Sequence, residues 1–153
     1  MSTLKECVFI DGIRTPNGRA HNEKGWFRDV RPDELLAALY EAIFQRNPKV
    51  KPEDVDGLFI GTANPSGMQN DIARVSWLAA GYTESVPSQT IQNQCPSGMS
   101  ATMDAARSIV TGENHIMLAG GAEDMDKVAM GANMDFNMKI FQRYDPNEIP
   151  MGA

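Results

Sequence analysis

Apolar and polar positions change along this chain in blocks that predict strands and helices in turn. Short apolar runs bounded by glycine, proline or asparagine predict buried strands. Longer segments between these runs repeat apolar residues with helical spacing. The predicted strands are, in chain order, 7–10, 58–60, a strand centred on 90–91, and 115–119. The predicted helices are 32–46, 71–80 and 97–111.

The predicted helix boundaries rest on residues that start or stop helices. Pro32 suits a first helical position, where no backbone hydrogen bond is lost, and the acidic Asp33 and Glu34 suit the positive end of the helix. Gly81 and Gly112 suit the left-handed conformation of a C-terminal cap. In the second helix we expect three apolar residues to face the core: Ile72, Val75 and Leu78.

Strand and helix alternate three times and the pattern ends on a strand, which is typical of a mostly parallel sheet connected by right-handed crossovers. We therefore predict an α/β protein with helices on both faces of the sheet. In the helix 97–111 only Asp104 and Arg107 are charged, and apolar or small side chains occupy most of the circumference. Such a helix needs cover on more than one face, so we expect it between two layers. The alternative is an ordinary alanine-rich helix that covers one sheet.

Composition excludes several functional classes. The chain has 153 residues, one domain by length, and 20 acidic against 14 basic residues give it a net charge of −6. This balance argues against nucleic acid and anionic membranes as partners. The cysteines, Cys7 and Cys95, are far apart and suggest neither a disulfide framework nor a metal site. With no export signal or membrane span recognisable, we expect a reducing, cytoplasmic setting.

Cys95 is the candidate for chemistry. It follows the predicted strand at 90–91 and precedes the helix 97–111, so it lies at the carboxyl edge of the predicted sheet, where reactive groups gather. The first turn of a helix presents unpaired N–H groups and the positive end of the helix dipole, and both favour a thiolate. The alternative is that Cys95 is a small buried hydrophobic residue.

Several short motifs occur in a fixed order along the chain. They are Arg14-Thr15-Pro16 with Gly18; Val55-Asp56 with Gly61; Gly67, Gln69-Asn70 and Ala73-Arg74; Asn93 with Cys95, Ser97-Gly98 and Ala101; and Ala119-Gly120-Gly121 with Glu123 and Met125. In this order and spacing they resemble the N-terminal half of the thiolases, the family that transfers acyl groups between coenzyme A thioesters. The segment Ile149-Pro150-Met151-Gly152 resembles the approach to a further signature of that family.

The resemblance implies a thiolase-like fold in which this chain forms one half of a two-sheet sandwich. Residues 1–126 would form the N-terminal α/β half-domain, and residues 127–153 the truncated start of the coenzyme-binding loop region. In the family the nucleophile's helix is buried between two sheets, which would account for the apolar helix 97–111. Cys95 would carry the acyl group, with coenzyme A thioesters as substrates. The resemblance implies no covalently bound cofactor and no metal.

Motifs that complete the family's catalytic machinery do not occur in this sequence. They are the Gly-His-Pro histidine, the Cys-x-Gly cysteine and the Asn-Glu-Ala-Phe segment. No matching motif surrounds His21 or His115, so we interpret both as ordinary polar residues. We expect this polypeptide to be inactive alone or active only beside a complementary C-terminal half. The resemblance also implies a homodimer or tetramer, with residues 90–93 near a twofold contact.

A noncatalytic alternative is a thiolase-like module that binds a partner subunit. Met130, Met134 and Met138 recur at helical spacing, as in an adaptable binding stripe or in a plain core stripe. A cysteine hydrolase is a weaker alternative, because no nearby histidine and acid complete a triad.

Two residues depart from the family's pattern. Pro96 follows the nucleophile where the family more often has glycine or alanine, and it removes an N–H while restricting Cys95 towards extended backbone angles. Asp126 follows Met125 where serine is commoner. We expect Asp126 to add a negative charge near the place where an anionic intermediate would form.

Overall fold

The structure of the protein, a computed structural model, describes residues 4–129, 131 and 137–143. The strands are β1 (Gly57–Gly61), β2 (Ser88–Ile91) and β3 (Met117–Gly121). The helices are α1 (Pro32–Arg46), α2 (Ile72–Ala79), α3 (Ser97–Thr111) and α4 (Lys139–Arg143). Short 3-10 turns occur at Pro52–Asp54 and Gly67–Gln69.

The three strands form a parallel sheet in the order β2-β1-β3. In the central strand Leu58 is in register with Ser88 on one side and with Leu118 on the other. Helix α1 packs against α2 over one face of the sheet, and α3 packs on β1 and β3 over the other. The predicted α/β class, with a parallel sheet and helices on both faces, is therefore confirmed.

The main core lies between the sheet and the pair of helices α1 and α2. Leu58 and Ile60 point from β1 into a cluster that includes the fully buried Trp77 of α2. The Trp77 ring centroid lies 5.7 Å from that of Tyr40 and 4.8 Å from that of Tyr82, in tilted aromatic contacts. Burial raises the pKa of Tyr40, whose hydroxyl is hydrogen-bonded to the Ser76 hydroxyl at 2.9 Å. This aromatic packing fixes α2 against α1.

Helix α2 corrects one sequence prediction. Ile72 faces the core as expected, but Val75 and Leu78 are 39% and 44% exposed. Ala73 and Trp77 are buried in their place. The expectation was wrong because helical spacing alone does not weigh side-chain size, and the large Trp77 ring turns this helix towards the aromatic cluster.

The predicted strand at 7–10 is also wrong, since this segment is not in the sheet. Val8, Phe9 and Ile10 are 64%, 83% and 68% exposed. A groove with a volume of about 990 Å³ lies between this segment, helix α1 and strand β3. An apolar run predicts a strand only if it also finds a partner for its backbone N–H and C=O groups, and a single sequence does not identify that partner.

Asp11 attaches the N-terminal segment to helix α1. The Asp11 carboxylate accepts hydrogen bonds from Arg46 at 2.8 Å and from the Asn47 amide at 2.9 Å. The Asn47 amide, the Gly12 backbone N–H and the Arg46 guanidinium lower the pKa of Asp11. The segment is thereby joined to the C-terminal end of α1.

Helices α1 and α3 have the predicted limits, and strand β3 is displaced from its prediction. Pro32 begins α1, and Gly112 follows α3 with a φ of 82°, the left-handed cap expected of glycine. The last strand was predicted at 115–119 but includes Gly120 and Gly121. The sequence pattern places a stop at these glycines, whereas the strand continues through both of them and uses Gly121 for close backbone packing against Gly61 and Gly98.

One face of α3 lies on the sheet and the other is open. Ala101 and Ala105 are buried, whereas Met99 and Met103 are 66% and 47% exposed. The expected second layer over this helix stays a prediction. So does the domain boundary at 126, because little is described beyond residue 129. Met130 and Met134 of the methionine stripe lie outside the described residues, and Met138 is exposed.

The Asp56 carboxylate connects the segment before β1 to the start of β3. It accepts hydrogen bonds from the backbone N–H groups of His115 and Ile116 at 2.7 and 3.0 Å. The bonds from Ile116 and His115 lower the pKa of Asp56. A carboxylate with a lowered folded-state pKa stabilises the fold above its unfolded pKa of about 4, and this contribution is lost as pH falls further.

We therefore predict that Asp56→Asn lowers the urea midpoint at pH 7, and that its difference from the wild type narrows as pH falls below about 4. The matched control is Asp29→Asn, which removes the same charge from a residue that is paired with Arg28 at the surface. A difference that stays constant down to pH 3 would contradict this assignment.

Candidate active site

Cys95 lies in the loop 92–96 that joins the carboxyl end of β2 to α3. Its side chain is exposed, whereas Cys7 is half-buried in the N-terminal segment. Helix α3 begins at Ser97, so the thiol belongs to the second residue before the helix rather than to its first turn. The loop nevertheless places Cys95 at the carboxyl edge of the parallel sheet. The first turn of α3, with its unpaired N–H groups, begins two residues later in the chain.

A tight turn holds the Cys95 loop. Gln94 has a φ of 52°, in the left-handed region that costs a residue with a side chain about 1 kcal/mol. The Ser97 hydroxyl donates to the Gln94 carbonyl at 2.5 Å and accepts from the Asn93 N–H at 2.8 Å. The Asn93 amide donates in turn to the Ser100 hydroxyl at 2.8 Å. The Ser97 and Ser100 side chains of α3 therefore hold residues 93 and 94, immediately before Cys95.

Pro96 is accommodated as the residue that caps α3. Its backbone angles are φ −84° and ψ 16°, and its carbonyl accepts a hydrogen bond from Ser100 N–H at 2.8 Å. A helix start leaves N–H groups without helical partners, so the N–H that proline lacks is not missed here.

Three glycines bring α3 into backbone contact with the sheet. A Cβ on Gly61 would collide with the Ser97 carbonyl carbon and the Gly98 nitrogen. A Cβ on Gly121 would lie 2.9 Å from the Gly61 oxygen and 3.3 Å from Gly98 Cα. We call Gly61, Gly98 and Gly121 the glycine seam. Because no side chain intervenes, the seam sets the start of α3, and with it the Cys95 loop, directly against the ends of β1 and β3.

The loops after β1 and β3 are joined by polar side chains. Glu123 accepts hydrogen bonds from the Ala63 N–H at 2.6 Å and from the fully buried Gln69 at 2.8 Å. The resemblance drew attention to Gln69 and Glu123, but the sequence assigned neither of them a role. Their contact links positions 54 residues apart, so no local pattern could have revealed it.

Neither histidine belongs to the loop that carries Cys95. The His21 ring accepts hydrogen bonds from the backbone N–H groups of Glu23 and Lys24 at 3.1 Å each, and so closes a turn. His115 precedes β3 and lies at the opposite, amino end of the sheet. The interpretation of His21 and His115 as ordinary polar residues stays a prediction.

Asp126, the departure from the family's pattern, contacts the loop before α1. Its carboxylate packs against Gly25, where an added Cβ would collide with it. Its effect on an anionic intermediate stays a prediction. Within the described ranges, no group of three or more His, Cys, Asp or Glu side chains is arranged to hold a metal ion. No helix in the same part of the chain is both long and apolar enough to cross a bilayer.

Known proteins resemble this chain in sequence and in fold. The family described as Thiolase, N-terminal domain, matches residues 7–148. The 3-ketoacyl-CoA thiolase of Photorhabdus laumondii is 40% identical over 138 residues, which are 90% of this chain and 35% of the relative. The 3-ketoacyl-CoA thiolase of a Marinomonas species is 36% identical over 149 residues, which are 97% of this chain and 38% of the relative.

A solved structure agrees with the sequence relatives. The Bacillus anthracis acetyl-CoA acetyltransferase matches with a TM-score of 0.62 and 32% identity, over 74% of this chain and 30% of that one. This chain therefore spans about a third of the length of the relatives it matches. The match over residues 7–148 shows that the chain belongs to the thiolase family, in the part that forms its N-terminal domain.

Proposed function

We propose that Cys95 is the acyl-accepting nucleophile of a thiolase-type acyltransferase that acts on coenzyme A thioesters. One observation carries the proposal: an exposed thiol at the carboxyl edge of the sheet, in a loop fixed by Ser97 and adjoining the start of a 15-residue helix. The similarity to a 3-ketoacyl-CoA thiolase and to an acetyl-CoA acetyltransferase supports this class of substrate.

The proposed reaction proceeds in two steps. The Cys95 sulfur attacks the carbonyl carbon of an acyl-CoA, the carbon–sulfur bond to coenzyme A breaks, and coenzyme A leaves as a thiolate that takes up a proton. The acyl group then passes to the carbanion of a second, deprotonated acetyl-CoA, and the Cys95 thiolate is regenerated. A covalent intermediate divides one difficult step into two easier ones.

Both steps need groups beyond the nucleophile. A positioned base contributes about 10²–10⁴ in rate, and an oxyanion donor about 10²–10³. Neither histidine of this chain lies in the Cys95 loop. We therefore propose that these 153 residues supply the nucleophile and depend for turnover on groups outside them, such as a complementary C-terminal half. Self-association as a dimer or tetramer and a cytoplasmic location belong to the same proposal.

The proposal predicts selective reaction at Cys95. Under native conditions, limiting iodoacetamide will label Cys95 at least about tenfold faster than Cys7, because its thiol is exposed at a helix start whereas Cys7 is half-buried. Peptide mass spectrometry measures both sites in one sample. Pre-incubation with acetyl-CoA will protect Cys95 and leave the labelling of Cys7 unchanged.

The denatured chain is the control for intrinsic reactivity. In urea the two cysteines should be labelled at equal rates, so that any native preference comes from the fold. Equal labelling of Cys7 and Cys95 in the native chain, or no protection of Cys95 by acetyl-CoA, would refute the proposed nucleophile.

Exposed apolar residues favour a second candidate function, the noncatalytic module that binds a partner subunit. Met99 and Met103 leave one side of α3 apolar and open, and Phe9 in the N-terminal segment is 83% exposed. Such surface is usually covered in an assembly. A chain that sediments as a partner-free monomer across the micromolar range would count against this candidate.

A further inference from the structure

Glu123 is an exposed residue whose carboxylate is nevertheless fully engaged by the protein. One oxygen accepts from the Thr62 hydroxyl at 3.2 Å and from the Ala63 N–H at 2.6 Å. The other accepts from the Gln69 amide at 2.8 Å. The carboxylate of a surface glutamate is ordinarily solvated by water. Three protein donors on one carboxylate therefore indicate that Glu123 has a structural role.

Buried neighbours dictate that position 123 must be an acceptor. Gln69 is fully buried, and its amide oxygen accepts the Asp124 N–H at 2.5 Å. This bond fixes the orientation of the amide, so its NH₂ group donates to the Asn64 carbonyl at 2.8 Å and to Glu123. A carboxylate satisfies both Gln69 and Ala63, which a neutral amide at position 123 cannot do.

The backbone of Ala63 connects Glu123 to the Cys95 loop. Its N–H donates to Glu123, and its carbonyl accepts from the Gln92 amide at 3.2 Å. Gln92 follows β2 and is three residues before Cys95. The Thr62 N–H also donates to the Ile91 carbonyl at 3.0 Å, which extends the pairing of β1 with β2. Hydrogen bonds therefore connect the segments that follow all three strands.

We propose that Glu123 is a positioning residue for the Cys95 loop. Its carboxylate holds Ala63, and Ala63 holds Gln92 at the entrance of the loop that carries the thiol. The proposal rests on the proposed function for its catalytic meaning, but the mechanical link is independent of any reaction.

Amide hydrogen exchange tests that link directly. The reporters are the Asn93 and Ser97 N–H groups, which are bonded to the Ser97 hydroxyl and the Gln94 carbonyl. We expect Glu123→Ala and Gln92→Ala to accelerate exchange at both reporters by about tenfold, because each variant cuts the chain of hydrogen bonds at a different place. Gln92→Ala does so without a change of charge, on an exposed residue.

Two further variants separate positioning from general loss of stability. Glu123→Gln keeps an acceptor for Ala63 and loses the bond to Gln69, so exchange at Asn93 should stay within about threefold of the wild type. The matched control is Glu113→Gln, an exposed carboxylate beyond α3, for which we expect no change. The Leu58 N–H, bonded to the Pro87 carbonyl in the core, reports global opening and should exchange at the wild-type rate throughout.

Unchanged exchange at Asn93 and Ser97 in both alanine variants would overturn the proposal. So would acceleration of Leu58 by the same factor, since the effect would then be a loss of overall stability. If wild-type Cys95 were not acylated, the proposed function would fail while the exchange result would still decide the positioning role.

Discussion

Cys95→Ala will remove acyl loading of the chain by acetyl-CoA. Intact-mass measurement of the wild type should reveal one acetyl group per chain, and proteolysis should place it on Cys95. Loss of a covalent nucleophile costs on the order of 10⁶ in rate in a well-studied hydrolase. Even a slow reaction of this chain, with groups outside it missing, will therefore fall below detection in the variant.

The matched control is Cys7→Ala, which removes the other thiol from the N-terminal segment. It should load an acetyl group at the wild-type rate. Acetylation that persists in the Cys95 variant, or that moves to lysine side chains in both proteins, would identify the reaction as nonspecific acylation. That result would exclude Cys95 as the acyl carrier.

Gly61→Ala will destabilise the fold by about 3 kcal/mol, because the added methyl group collides with backbone on the first turn of α3. A flexible side chain could rotate away from such a collision, but the Ser97 carbonyl and the Gly98 nitrogen cannot. Urea unfolding measures the loss through the fluorescence of the fully buried Trp77. The same variant should disturb the Cys95 loop, since α3 must move away from β1.

Gly120→Ala is the control for this prediction. Gly120 lies in β3 beside Gly121, and a Cβ there meets only the end of the Ile60 side chain, at 3.8 Å. We expect a change in unfolding free energy below about 1 kcal/mol. Equal effects of the two substitutions would mean that the close approach of α3 to β1 is not what Gly61 provides.

The sequence predicted the layers of the fold better than it predicted which residues fill them. Helices α1 and α3 were placed correctly because Pro32 and Gly112 act through local backbone geometry, which a sequence displays. The inward face of α2 was wrong because it depends on contacts of Trp77 with rings from other segments. The strand at 7–10 was wrong for a similar reason, since pairing is a property of two segments.

In the candidate site, too, features set by the local sequence could be predicted, and features set by contacts between distant segments could not. Cys95 could be singled out because it stands between a predicted strand and a predicted helix, both of which formed. The polar contact between Gln69 and Glu123 could not be predicted, because it joins two loops that approach each other only once the strands are paired. The glycine seam is likewise invisible in the sequence, where Gly120 and Gly121 indicate a strand end although β3 includes both of them.

The glycine seam has a consequence for how this part of the molecule can vary over evolutionary time. Because Gly61 packs directly on the backbone of Ser97 and Gly98, a larger residue at Gly61 cannot be compensated by a smaller side chain on α3, whereas a Cβ on Gly98 would meet only ordinary contacts at 3.7 Å and beyond. Sequence change is therefore easier at exposed neighbouring residues such as Met99 and Met103. The side chains around Cys95 can therefore change among descendants while the position of the thiol relative to the sheet stays the same.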